Sequence, residues 1–215
     1  MTLEFDGIEY GYDDRRLLTG IHIKCQTGKI TALLGRNGTG KSTLLKIAFG
    51  AIRPDVASIR LDGHPLTRPA FSRGIVSYRP QETFVPGNLS LARILKLYQV
   101  SVDKVVSSFP ELEQDLGLSH TQVSGGRLRL FEVLLVLFRH TPFCLLDEPF
   151  TGLSPLMVER LQEIIVTEKK DKGILISDHL FRQVMEIADD VYLLSNGNTF
   201  LIKEQEELTR RGYLV

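Results

Sequence analysis

Gly35-Arg36-Asn37-Gly38-Thr39-Gly40-Lys41-Ser42 is the stretch on which the reading of this chain turns. It meets the phosphate-loop pattern GxxxxGK[ST] at every fixed position. A short, mainly apolar run, Ile30 to Leu34 with Thr31 inside it, precedes it, as expected of a buried strand, and helical spacing follows from Lys41 to about Phe49. A strand, a glycine-rich turn and a helix in that order aim main-chain N–H groups at phosphate oxygens, with the helix dipole behind them. Gly35, Gly38 and Gly40 permit the close approach of the main chain, and Asn37 and Thr39 complete the nucleotide-binding loop. Lys41 then reaches the β and γ phosphates as a point charge, the Ser42 hydroxyl is placed to ligate Mg²⁺, and Thr43 extends the phosphate contacts. The loop by itself leaves GTPases, kinases and ATPases open.

Upstream, Leu3 to Tyr10 and Gly20 to Cys25 alternate with period two, and the polar run Asp13 to Arg16 between them reads as a turn of an antiparallel sheet. Downstream, Ser58 to Leu61 and Gly74 to Tyr78 read as strands. The spacing then predicts helices over Leu89 to Gln99 and over Val102 to Leu116, the second broken at Pro110. Beyond this helical insertion the pattern alternates: helix Gly125 to His140, strand Phe143 to Asp147, helix Pro155 to Lys170, strand Gly173 to Ser177, helix His179 to Asp189, strand Val191 to Leu194, and a polar helical tail from Lys203 to Arg211. Such alternation implies an α/β fold with a mostly parallel sheet covered by helices.

Two further segments carry chemistry. Val123-Ser124-Gly125-Gly126-Arg127 opens a helix with Ser124 as N-cap, and the two glycines leave N–H groups open to solvent, a second candidate anion site. Phe143-Cys144-Leu145-Leu146-Asp147-Glu148-Pro149 is a buried strand ending in two acids, a Walker B arrangement in which Asp147 holds Mg²⁺ and Glu148 orients water.

In order along nearly the whole chain, the phosphate loop, the Ser124-Gly125-Gly126 segment, the Leu145-Leu146-Asp147-Glu148-Pro149 strand and an isolated His179 resemble the ATP-binding subunits of ABC transporters. The resemblance implies an ABC ATPase fold: a phosphate-loop core of mostly parallel sheet with an antiparallel N-terminal sheet, and one domain over 1–215, in which 1–81 and 124–215 bind nucleotide and 82–123 form a short helical subdomain. It further implies that Gln81, in Tyr78-Arg79-Pro80-Gln81, senses Mg²⁺ and the γ-phosphate at the contact with membrane subunits. His179 matches the histidine that bonds the γ-phosphate and organises water near Glu148, so that Glu148, His179 and Lys41 are the expected catalytic residues. Ser42, Gln81 and Asp147 are the expected metal ligands. Tyr12 matches the aromatic that stacks on adenine, with Leu18 and Ile21 following at the family's spacing and Tyr10 as competitor on the same side of the strand.

The same resemblance implies ATP and Mg²⁺ as cofactors, with one site built from the phosphate loop of one subunit and Ser124, Gly125 and Gly126 of another. The expected partners are therefore a second copy of the chain and integral membrane permease subunits, with the protein held at the cytoplasmic face of the inner membrane. The run Phe150 to Pro155 and Ile176-Ser177-Asp178-His179 look most like the ATPases of lipopolysaccharide export and branched-chain amino-acid import. Three positions depart from the family: Arg127 stands where glutamine is usual, Val123 where leucine is usual, and Ser154 where aspartate is common. Ser154 still caps a helix that begins at Pro155. The competing functions are a soluble ATPase of the same family, serving for example iron–sulfur cluster assembly, and a nucleotide-gated module without hydrolysis; Glu148 and His179 argue against the latter.

Composition sets outer bounds. In 215 residues, 43% hydrophobic and 24% charged, there is material for a sizeable core. With 26 basic against 26 acidic residues no global charge draws the chain to nucleic acid or an acidic membrane, so net charge argues nothing about partners; the family resemblance implies no nucleic-acid partner. Cys25 and Cys144 lie apart in apolar surroundings and read as small buried residues suited to a reducing compartment. The start of the chain lacks a signal-peptide pattern, and the apolar run Val133 to Phe138 is far short of the roughly 20 residues a spanning helix needs, so no direct insertion into a membrane is expected.

Overall fold

The computed structural model describes residues 1–12 and 15–214. Strands β1 (Thr2–Tyr12) and β2 (Arg15–Gln26) pair antiparallel, and β1 also pairs antiparallel with β4 (Val56–Leu61), which carries the short β5 (His64–Pro65) at its edge. Between them in sequence come β3 (Ile30–Leu34) and α1 (Lys41–Phe49). Then follow β6 (Val76–Arg79), α2 (Leu91–Tyr98), α3 (Val102–Ser108) and α4 (Gly125–Leu137). The last part contains β7 (Phe143–Asp147), α5 (Pro155–Glu168), β8 (Gly173–Ser177), α6 (Phe181–Met185), β9 (Asp190–Ser195), β10 (Asn198–Ile202) and α7 (Glu206–Arg210).

All these strands join one ten-stranded sheet in the order β5-β4-β1-β2-β10-β9-β3-β8-β7-β6. Its β9-β3-β8-β7-β6 part is parallel, and the part from β2 to β5 is antiparallel, as the sequence patterns imply. Every residue of β3, β7 and β8 is buried, because helices cover both faces of a parallel sheet. Side chains alternate between the faces. Leu33, Leu145 and Leu175 meet α1 and the antiparallel strands through Leu44, Leu45, Phe5 and Ile23. Ala32, Leu34, Cys144, Leu146, Ile174 and Ile176 share the other core with α4, α5 and the 82–123 insertion, which contributes Leu91, Ile94, Leu95, Phe109 and Leu112. This packing fixes the ends of β3, β7 and β8 side by side. Burial pushes the Cys25 thiol up to about 12 and Cys144 to about 11, in keeping with inert core positions.

Several boundaries differ from the sequence expectation for identifiable reasons. Arg15 and Arg16, read as turn, belong to β2 opposite Tyr12 and Gly11, since a ladder uses main-chain groups and tolerates arginines on an exposed end; Asp13 and Asp14 lie outside the described residues. Pro110 ends the second predicted helix: Phe109 before it is extended at φ −142, ψ 87, and a 3-10 turn covers Pro110–Asp115. The helix expected from His179 to Asp189 shrinks to Phe181–Met185: at its start the Leu180 N–H donates to the Asp178 carboxylate at 2.9 Å, and beyond its end the Asp189 N–H donates to the Ile30 carbonyl of β3 at 2.8 Å. Strand β10 has no counterpart in the sequence reading; Asn196 and Gly197 both have positive φ, the Asn-Gly hairpin chemistry that joins it antiparallel to β9. No helix among the described residues is long and apolar enough to cross a membrane.

Candidate active site

The loop from Gly35 to Gly40 runs between the end of β3 and the start of α1, with Gly38 at φ 78 and Gly40 at φ 103. Gly40 has two reasons to lack a side chain: the left-handed conformation, and Leu17 and Leu18 atoms 3.0–3.2 Å from where a Cβ would sit. Lys41 is buried, and its Nζ donates to the carbonyls of Gly35 at 2.8 Å and Arg36 at 3.2 Å. Burial lowers the affinity of this amine for its proton, while the charges of Glu148, Asp147 and Asp178 work against that. The loop is thereby closed around its own cation.

Across from it, β7 and β8 end side by side, with Asp147 opposite Ser177 in register. Asp147 is buried; its Oδ1 accepts the Ser177 hydroxyl at 2.5 Å and its Oδ2 the Tyr78 hydroxyl at 3.4 Å. Glu148 turns the chain at φ 51, a left-handed conformation that costs a residue with a Cβ roughly 1–2 kcal/mol. Its own N–H donates to the Ser177 carbonyl at 2.7 Å, which holds that turn. Strain of this kind collects at functional positions. The Glu148 carboxylate accepts Gln81 Nε2 at 2.9 Å and lies 3.6 Å from His179 Nδ1. Asp178, fully buried, accepts the N–H groups of Phe150 at 3.2 Å and Leu180 at 2.9 Å and stands 3.6 Å from the same His179 nitrogen. Burial pushes the Asp178 carboxyl up, and those two N–H groups oppose the shift.

Asn37, Gly38, Gly40, Lys41, Ser42, Thr43, Gln81, Glu148 and His179 line one open cleft of about 540 Å³. A smaller pocket of about 150 Å³ is lined by Ser42, Gln81 and Asp147 together with Lys46 and Glu82. A hydroxyl, an amide carbonyl and one carboxylate are hard oxygen donors, and a Mg²⁺ that keeps waters and substrate phosphates needs few protein ligands, so this donor set fits that ion. Among the described residues no group of three or more His, Cys, Asp and Glu side chains is suited to hold a metal by itself.

Other expected residues lie elsewhere. Ser124 is the exposed N-cap of α4, and its hydroxyl makes no cap hydrogen bond among the described residues; neither it nor Gly125 and Gly126 lines the cleft. Gly126 sits where a Cβ would come within 3.1 Å of the Gly152 carbonyl, so α4 begins against the loop that follows Glu148. Arg127, a departure from the family pattern, pairs its Nε with buried Asp115 at 3.2 Å and so ties α4 to the insertion. Tyr12 is 55% exposed at the end of β1, edge-on to Tyr10 with ring centroids 5.0 Å apart, outside the cleft lining. Sequence reasoning missed Leu17 and Thr151, which line the cleft, and Asp178, which stands behind His179. The signal for Leu17 was period-two alternation: its neighbour Leu18 is buried in the core, so Leu17 faces the other way.

A family model described as ABC transporter matches residues 18–151. The chain is 30% identical over 210 residues to an uncharacterized ABC transporter ATP-binding protein of Rhizobium meliloti, covering 91% of this chain and 78% of that protein. It is 28% identical over 233 residues to the lipopolysaccharide export system ATP-binding protein LptB of Escherichia coli K12, covering 99% and 97%. Among solved structures it superimposes on an ATP-binding subunit of an ABC transporter with a TM-score of 0.86 at 26% identity, over 99% of this chain and 94% of that one.

Proposed function

This chain belongs to the ABC transporter family and is an ATP-binding, ATP-hydrolysing subunit of it, and from that premise we propose which residues do the work and with what partners. The observation that carries the proposal is the convergence of Lys41, Gln81, Glu148 and His179 on one cleft at the N-terminus of α1. ATP lies with its phosphates on the Gly35–Ser42 loop, Lys41 between the β and γ phosphates, and Thr43 behind them. Ser42, Gln81 and Asp147 would hold Mg²⁺, which would supply neutralisation of charge on the phosphates. Glu148 takes a proton from a water that attacks the γ-phosphorus as the bond to the β-phosphate oxygen breaks, and His179, oriented by Asp178, steadies that water. Tyr12 meets the adenine.

The remaining contact comes from a second copy. Ser124, Gly125 and Gly126 head a helix whose N–H groups face outward, and opposite a γ-phosphate they close the dimer. Residues 1–215 act as one ABC ATPase domain, with 82–123 as the part turned toward the membrane partner. A groove of about 400 Å³ lined by Phe49, Phe71, Tyr78, Pro80, Phe84 and Tyr98 lies beside Gln81 and is the seat we assign to a permease subunit. The protein thus sits at the cytoplasmic face of a membrane through its partners. Resemblance to LptB makes a lipopolysaccharide exporter one candidate assembly.

The test is Glu148→Gln. It should bind ATP, lose about 10²–10⁴-fold in hydrolysis, and run as a dimer on size exclusion when ATP is present. Wild-type phosphate release from this variant would sink the assignment.

A further inference from the structure

We propose that the buried pair Arg79–Glu132 is a positioning device that fixes the Gln81 loop, the Asp147–Glu148 strand end and helix α4 as one body, so that hydrolysis depends on how α4 is set. This rests on Glu148 being the hydrolytic carboxylate.

Arg79 is the last residue of β6 and is 1% exposed; Glu132, two turns into α4, is fully buried. Arg79 donates through Nη1 to the main-chain carbonyl of Asp147 at 2.9 Å and through Nη2 to Glu132 Oε2 at 3.3 Å. Glu132 Oε1 in turn accepts the Phe84 N–H at 3.0 Å. Gln81 therefore hangs on a loop whose two ends, at Arg79 and Phe84, are both held by one glutamate of α4. The same arginine grips the peptide carbonyl between the metal carboxylate and Glu148. Phe84 also lines the 400 Å³ groove, which connects that surface to the cleft through the same glutamate.

Stability does not explain the pair. Burial is the largest influence on both groups and disfavours the charge on Arg79 and on Glu132, the Arg129 charge works further against Arg79, and Arg79 Nε has no partner among the described residues. Apolar side chains of like volume serve a core as well or better than such a pair. What apolar side chains cannot do is hold a carbonyl, a carboxylate and two loop ends in one geometry.

The experiment compares Arg79→Met, Glu132→Gln, the double variant and Arg79→Lys for melting temperature, ATP KM and kcat, with Glu148→Gln as control. Arg79→Met alone should melt low, because it strands Glu132. The double variant removes both charges and leaves an amide oxygen at position 132 that can still accept from the Phe84 N–H. It should melt near wild type, keep KM within about threefold and lose about 10- to 100-fold in kcat. Arg79→Lys, which keeps the charge but not the fork, should show the same split and serves if the double variant does not fold. A folded double variant or Arg79→Lys protein with wild-type kcat overturns the proposal. Turnover by Glu148→Gln would instead overturn the reading on which it rests.

Discussion

Helices α1 and α4 both have glycine at their start and turn a positive dipole end outward, yet their surroundings are opposite. The start of α1 is enclosed: Gly40 is packed against Leu17 and Leu18, Lys41 is 6% exposed, and three carboxylates face the ammonium. The start of α4 is open: Ser124 and Gly125 are exposed, and the Ser124 hydroxyl caps nothing among the described residues. Under the proposed function the enclosed N-terminus holds its ligand within the chain, and the open N-terminus of the 13-residue α4 is completed from a second copy. In the dimer proposed above the two ends are halves of one site, and each half can be broken separately.

The largest effect is expected on the closed half. Among the described residues, Lys41→Ala removes the only side-chain cation that lines the cleft, apart from any charge His179 carries. One hydrogen bond to a charged group is worth about 1.5–3 kcal/mol, so ATP affinity measured by equilibrium binding should fall roughly 10- to 150-fold. The protein should stay monomeric with ATP. Unchanged affinity would mean that the phosphates do not sit on this loop.

The open half predicts a different signature. Ser124→Asp keeps an N-cap side chain of equal rank and adds a negative charge at the start of α4, which stabilises a helix end by about 0.3–1 kcal/mol. The melting temperature should hold or rise, and ATP binding to the monomer should not change. Across a dimer, however, that carboxylate meets the γ-phosphate, and like charges brought together cost several kcal/mol. Turnover should fall about tenfold or more (about 1.4 kcal/mol per tenfold) while the dimer weakens in analytical ultracentrifugation. If turnover survives, α4 does not complete the site and the contrast between the two helices has no functional content.

The closed half was the more legible in sequence, and for a physical reason. The loop, β3 and α1 are specified by local rules: four apolar residues and Thr31 that are buried together, glycines at left-handed positions, and a helix that starts where the loop ends. Strands β7 and β8 followed from the same kind of run. What sequence did not show was set by contacts distant along the chain. Arg79 has no assigned role in sequence, where it only precedes Pro80-Gln81, until Glu132, far away on α4, draws it inside. Asp178 carries no assigned role in sequence until β7 and β8 bring the Phe150 N–H to its carboxylate, which also takes the Leu180 N–H at the start of the shortened helix after His179. The β10 hairpin was the exception, a local Asn-Gly signal that was there to be read. Leu17 was hidden by its buried neighbour Leu18, although the alternation pointed to it.

The smallest effect lies on the loop between the halves, where Gly152 touches the start of α4 and Ser154 starts α5. Ser154 Oγ accepts the Met157 N–H at 3.4 Å and Pro155 takes the first helical position, so the cap stands even though the family commonly has aspartate here. Ser154→Ala should cost about 0.5–2 kcal/mol, which for a chain of this size lowers the melting temperature by roughly 2–4 °C per kcal/mol. Ser154→Asp keeps the cap, adds a charge at the helix N-terminus and should recover or exceed the wild-type melting temperature. Turnover then separates two roles for the position. If Ser154→Asp changes stability and leaves kcat alone, the residue serves only to start α5. A change in kcat at equal stability means that the loop also carries a signal between the enclosed end of α1 and the open end of α4. A Ser154→Ala protein as stable as wild type would show that the long cap bond contributes nothing.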